Sequence, residues 1–250
     1  MISKTVLKQS IKTNYKIWLA ITIVVSLFMV MIFAAFNLRS ADATNDNPFT
    51  FTILSLLTTS FYGMIAVILP MIYSIFVGNR LVAKEVDSGI MSCTLNTPIT
   101  RTKLILTKAF YLVCSIILMM VVLTITGLIM DSILSTDLDI GTFLMINLGL
   151  TIYSLAVSGI VFLSSSIFNK SSSAMGLGAG LPLLFYVLSL VSTLDDSFEF
   201  LKYFSLNTLF DTTNIVAGSN YVLQFIAMFS ISVITYTASV IYFKKKDLPI

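Results

Sequence analysis

Residues 17–38 read IWLAITIVVSLFMVMIFAAFNL, an unbroken apolar run of 22 residues without one charge. About 20 such residues span the hydrocarbon core of a bilayer as an α-helix. The run is too long for the 7–15-residue core of a signal peptide, and no small-residue cleavage site follows it, so it reads as a retained spanning helix. Five more runs of this kind follow, near residues 51–78, 104–130, 142–168, 174–194 and 221–243. Across the whole chain 57% of residues are apolar and 11% charged. Soluble domains are nearer a quarter charged, so lipid must be the solvent for most of this surface. The fold expected is an all-α membrane protein of six transmembrane helices forming a single domain, residues 1–250.

The loops orient it. Lys4, Lys8, Lys12 and Lys16 precede the first span; Arg80, Lys84, Arg101, Lys103 and Lys108 surround the second connection; Lys170 lies in the fourth; Lys244, Lys245 and Lys246 follow the last span. These are 13 of the 15 basic residues, and only Arg39 and Lys202 fall on the other side. That side carries Asp42, Asp46, Asp131, Asp137, Asp139, Asp195, Asp196, Glu199 and Asp211. By the positive-inside rule both termini and the 79–103 loop face the cytoplasm; the localisation expected is the plasma membrane, as a multi-pass protein.

Three segments outside the spans carry further expectations. Lysines at 4, 8, 12 and 16 recur every four residues, near one helix face. Residues 1–16 then read as an amphipathic helix on the inner leaflet, with its lysines at anionic headgroups and Trp18 at the interface; a disordered basic tail would satisfy the topology rule equally. Residues 79–103 read as a helical extension of the second span, a break at Gly89, a short surface helix and a turn at Thr97-Pro98. Residues 195–220 intersperse Phe198, Phe200, Leu201, Tyr203, Phe204 and Phe210 with acids, without a spanning run. They read as short re-entrant helices in the outer leaflet, or as an ordinary extracellular loop with aromatic anchors.

Chemistry is excluded more readily than assigned. The chain has no histidine, which removes the common general base, zinc ligand and pH switch. Cys93 and Cys114 imply neither a disulfide framework nor a metal site. No phosphate-binding G-x-x-x-x-G-K-[ST] loop occurs. Gly176, Gly178 and Gly180 lie inside an apolar run with no strand before them, so with Ser171, Ser172, Ser173 and Ala174 they read as a helix-packing face. Span centres hold no ionisable group to carry ions, and Lys108 is placed to snorkel from the end of its span. A transporter without its own energy source needs a docking site for one. The 79–103 loop fits, with Arg80, Lys84, Glu85, Asp87, Arg101 and Lys103 around the apolar Ile90, Met91 and Leu95.

The run from Glu85 through Gly89, Pro98, Thr100 and Arg101 to Lys108 resembles the type-2 ABC transporter permease family. That family places a glutamate, then Gly-Thr, a small helix, Pro-Ile/Val-Ser/Thr-Arg, and a lysine as the third span begins. Ile90 stands here in place of the commoner threonine. Lys202-Tyr-Phe-Ser-Leu-Asn is similar to a stretch of such permeases before their last span, so the resemblance covers essentially all 250 residues.

The resemblance implies half of a dimeric exporter pore, pairing with another copy or a related chain. It has no cofactor of its own; ATP and magnesium would be bound by a separate ATPase docking at Arg80, Lys84, Glu85, Asp87, Gly89, Ile90, Met91, Leu95, Pro98 and Arg101. Size and composition are also similar to small peptide-toxin exporters of Gram-positive bacteria, which points to amphipathic peptides ahead of drugs, lipids or glycans as cargo. The residues leave two other functions open. One is a scaffold or sensor that binds an ATPase without transporting. The other is a lipid-modifying membrane enzyme using acids such as Asp131, Asp137 and Asp139.

Overall fold

The computed structural model describes residues 2–41, 52–91, 99–194, 196–218 and 221–246. Among them there is no strand, and six helices are long and apolar enough to cross a membrane. The first span is Lys4–Ala41, the third Arg101–Leu134, the fourth Ile140–Ile167, the fifth Ser171–Val191 and the sixth Tyr221–Lys245. The second is composite: Ile53–Leu56 and Ala66–Leu81 are α-helical, with a π-helical stretch, Leu57–Ile65, between them. The Ala66 N–H donates five residues back, to the Phe61 carbonyl, and Pro70 withholds a further backbone donor four residues later.

The N-terminal expectation is corrected. The segment with the four lysines is not a separate interfacial helix but the first part of one 38-residue helix. At about 1.5 Å per residue that helix is about 57 Å long, well beyond a ~30 Å hydrocarbon core. Its lysines are exposed while Val6, Ser10 and Asn14 are buried. Tertiary bonds hold it: the Ser3 N–H donates to Thr107 Oγ1 (3.0 Å), and Trp18 Nε1 donates to the Ser115 carbonyl (2.8 Å). Trp18 therefore works in a helix contact.

The fourth span is the hub. It packs on the second, third, fifth and, most extensively, the sixth, while the first, fifth and sixth turn most of their surface outward. Apolar faces gain little from one another when lipid is the alternative, so close approach and hydrogen bonds must hold the spans together. Ser158 and Tyr236 bond across the fourth and sixth spans (2.8 Å), Ser164 Oγ donates to the Ala174 carbonyl (2.8 Å), and Tyr73 donates to Ser115 Oγ (2.8 Å). Glycines set the distances. A methyl group at Gly149 would stand 2.8 Å from the Phe225 ring, and one at Gly159 would overlap Thr235 Oγ1. The expected glycine face on the fifth span is corrected in part: Gly178 and Ala174 pack against the fourth span, but space is open around Gly176 and Gly180.

At the acidic end carboxylates cap and close the connections. Asp139 accepts from the Gly141 N–H (3.1 Å) and the Thr142 hydroxyl (2.6 Å) at the start of the fourth span. The Thr142 hydroxyl holds the Asp139 carboxyl below the usual range. Asp131 accepts from Thr136 Oγ1 (2.7 Å) and the Leu138 N–H (3.2 Å) across the turn. Between the fifth and sixth spans lie two 3₁₀ segments, Asp196–Phe204 and Asn207–Leu209, then the helix Thr212–Val216. Ser205 Oγ donates to the Phe185 carbonyl (2.6 Å) and Asn207 Nδ2 to Ser189 Oγ (2.8 Å), docking this segment on the fifth span.

The glycine contacts predict a clear split. Gly149→Ala and Gly159→Ala should each lower stability by about 1–3 kcal/mol through overpacking, whereas Gly176→Ala and Gly180→Ala should change it little. Thermal unfolding of the detergent-purified variants measures this; equal midpoints for all four would contradict the packing.

Candidate functional site at the basic end

The second span ends at Leu81, and Val82 leaves the helical region (φ −125°, ψ −71°). A short helix, Ala83–Asp87, follows, stopped at Ser88 and at Gly89, whose φ of 72° suits glycine alone at little cost. Helix resumes at Ile90 and Met91. Residues 92–98, with Leu95, Pro98 and most of the expected surface helix, lie outside the described residues.

This joint is fastened to two other spans. The Lys108 ammonium, on the third span, donates to the Leu81 carbonyl (2.6 Å) and pairs with the Glu85 carboxylate. Lys108 is only 2% exposed against 24% for Glu85. The snorkelling expected of Lys108 is thereby corrected. Its side chain runs inward because the end of the second span offers an orphaned carbonyl and a carboxylate. A cavity of about 20 Å³ beside the pair, lined by Ser10, Asn14 and Arg80 among others, brings the first span to the same spot; it has room for one water molecule.

The second fastening reaches the fifth span. Asp87 Oδ2 accepts from the Ser171 N–H (3.1 Å), and Asn79 Nδ2 donates to Ser171 Oγ (2.8 Å). Asp87 thus supplies an anion to a helix N-terminus whose own N-cap residue, Lys170, makes no side-chain cap bond. A separate set of bonds ties the tail to the start of the third span and the end of the fourth. Arg101 donates to the Lys246 carbonyl (2.9 Å), while Lys246 Nζ donates to the carbonyls of Ser166 (3.0 Å) and Phe168 (2.8 Å), closing the end of the fourth span. Burial pushes the Lys246 ammonium down to about 8.

Of the expected docking residues, Lys84, Asp87, Gly89 and Ile90 are exposed, and Arg80, Glu85 and Arg101 are partly covered. Met91 is corrected: at 2% exposure it packs into the chain's own core and presents no outward knob. Sequence reasoning did not find the roles of Asn79, Ser171 and Lys246, whose partners lie 78 or more residues away. The isolated Lys170-Ser171 between two apolar runs was the one available hint.

This joint has the form of a lever, with exposed charged and apolar positions outside and bonds to the third and fifth spans inside. Its chain matches the family described as ABC-2 family transporter protein over residues 5–248. The chain belongs to that family. No curated protein matches it. As an ABC-2 transporter protein it is the membrane subunit of an ABC transporter, a transport subunit rather than a catalytic one, of a family that works with ATPase subunits and dimerises.

The pair makes a thermodynamic prediction for this ABC-2 subunit. In a double-mutant cycle, Lys108→Met and Glu85→Gln should each destabilise the protein, and together by less than their sum. The coupling should be about 1.5–3 kcal/mol, the range for hydrogen bonds to charged groups. Denaturation of the four proteins in one detergent measures it, and additive effects would show that the pair carries no net interaction.

Proposed function

We propose that this chain forms half of the translocation pathway of an exporter and that a separate ATPase docks on residues 80–101 from the cytoplasm. The observation that carries the reading is the double tie of the joint, Glu85 to Lys108 and Asp87 to Ser171. Motion imposed on residues 83–91 is handed to the starts of the third and fifth spans together, while Leu81 passes it to the second. ATP and magnesium are bound by the partner. Gly89 provides the flexible point between the short helix and the surface segment carrying Ile90.

The orientation follows from the charges: the basic end faces the cytoplasm and the acidic end the exterior of the plasma membrane. For cargo we infer amphipathic peptides. The described spans hold no acid in their middle turns and are rich in Phe, Met, Ser and Thr, a surface suited to varied apolar ligands with occasional polar groups.

In liposomes containing this chain and its ATPase, an amphipathic peptide should stimulate ATP hydrolysis. Ile90→Asp combined with Leu95→Asp should abolish the stimulation while the protein stays folded. A cysteine introduced at Ser88, in a background lacking Cys93 and Cys114, should react with an impermeant maleimide only from the cytoplasmic side. Labelling from outside, or full stimulation in the double variant, would overturn the docking proposal.

A further inference from the structure

Near the basic end a groove opens between the first and third spans, on the outer surface of the bundle. Leu7, Ile11 and Trp18 form one wall and Phe110, Cys114 and Leu118 the other, around a volume of about 400 Å³. That lies within the ~300–1,000 Å³ typical of ligand sites. Ile11, Phe110 and Leu118 are 49%, 44% and 54% exposed, so the apolar walls are open to whatever surrounds the protein. Ser115 at the floor is already engaged: its carbonyl accepts from Trp18 Nε1, and its Oγ accepts from Tyr73. The groove therefore offers hydrocarbon contact along most of its length.

One end is basic. Lys4 precedes Leu7 by three residues and Ile11 by seven, and Lys8 precedes Ile11 by three; Lys103 precedes Phe110 by seven and Cys114 by eleven. At these spacings each lysine lies on the groove face of its helix or beside it, one to two turns nearer the N-terminus. The two helix starts are also tied together. The Ser3 N–H donates to Thr107 Oγ1 (3.0 Å), and that hydroxyl donates to the Lys103 carbonyl (2.6 Å). Lys4 and Lys103 thus flank a single joint at the mouth of the groove.

We propose that this groove holds an acyl chain of an anionic phospholipid whose phosphate is gripped by Lys4, Lys8 and Lys103. A second copy of the chain on this face would bring two sets of lysines together, and their mutual repulsion opposes it. A zwitterionic lipid fits the walls equally, but its own cation offsets the phosphate, so the lysines select for net negative charge. The proposal goes beyond the transport reading and needs no ATPase, cargo or direction of transport.

Trp18 lines the groove and is the protein's one tryptophan, which makes the test direct. Its fluorescence is measured in bilayers of constant composition in which either the phosphatidylglycerol or the phosphatidylcholine carries brominated chains. Brominated phosphatidylglycerol should quench Trp18 more strongly, with a local enrichment of roughly fivefold per engaged lysine. The preference should vanish in the Lys4→Gln/Lys8→Gln/Lys103→Gln variant. Cys114→Phe, which fills the groove and keeps the lysines, should weaken quenching by either lipid. Equal quenching by the two lipids in the native protein overturns the proposal. So does a preference that survives loss of the three lysines, or weak quenching by both lipids because another protein chain covers Trp18.

Discussion

A cation buried among apolar helices needs partners at once, and in this chain Lys108 finds them on the second span. Its ammonium bonds the last carbonyl of that span's main helix and pairs with the carboxylate one turn on. The path of the chain after Leu81 is constrained by that requirement. Were the second span to end elsewhere, a nearly inaccessible charge would lose its acceptors. The break at Val82, the short helix to Asp87 and the capping of the fifth span by Asp87 all follow from where Lys108 holds Leu81 and Glu85.

The bundle above this point is joined by the means that lipid leaves available. Glycines at 149 and 159 let the sixth span close on the fourth, and hydroxyl bonds such as Ser158–Tyr236 add direction. The same economy appears at the acidic end. There Asp131 and Asp139 spend their carboxylates on turn and cap bonds, and Ser205 and Asn207 stitch the connecting segment to the fifth span. The polar inventory is small, and most of what the described residues show is engaged in holding helices in place.

Six spans were legible because their signals are local: long apolar runs, with lysine and arginine concentrated in alternate connections. The glycine-broken joint was legible too, since Gly89 interrupts good helix formers and the Glu85-to-Lys108 run resembles a known family. What was not legible depends on which helix faces which. Gly149 and Gly159 look no different in sequence from Gly176 and Gly180, yet one pair is crowded and the other open. Met91 reads like Ile90 but turns inward. The separation of an N-terminal surface helix from the first span failed because Lys16-Ile17 carries no breaker, and Val6 and Asn14 find cover that a helix lying alone would lack.

The π-helical stretch in the second span has a geometric meaning. Bonding five residues back packs an additional residue into the turn, so the portion above Leu57 and the portion below Ile65 are out of phase with an ideal rod. A face read at the 3.6-residue period on one portion therefore does not continue onto the other, and each portion presents its own set of side chains to the neighbouring spans.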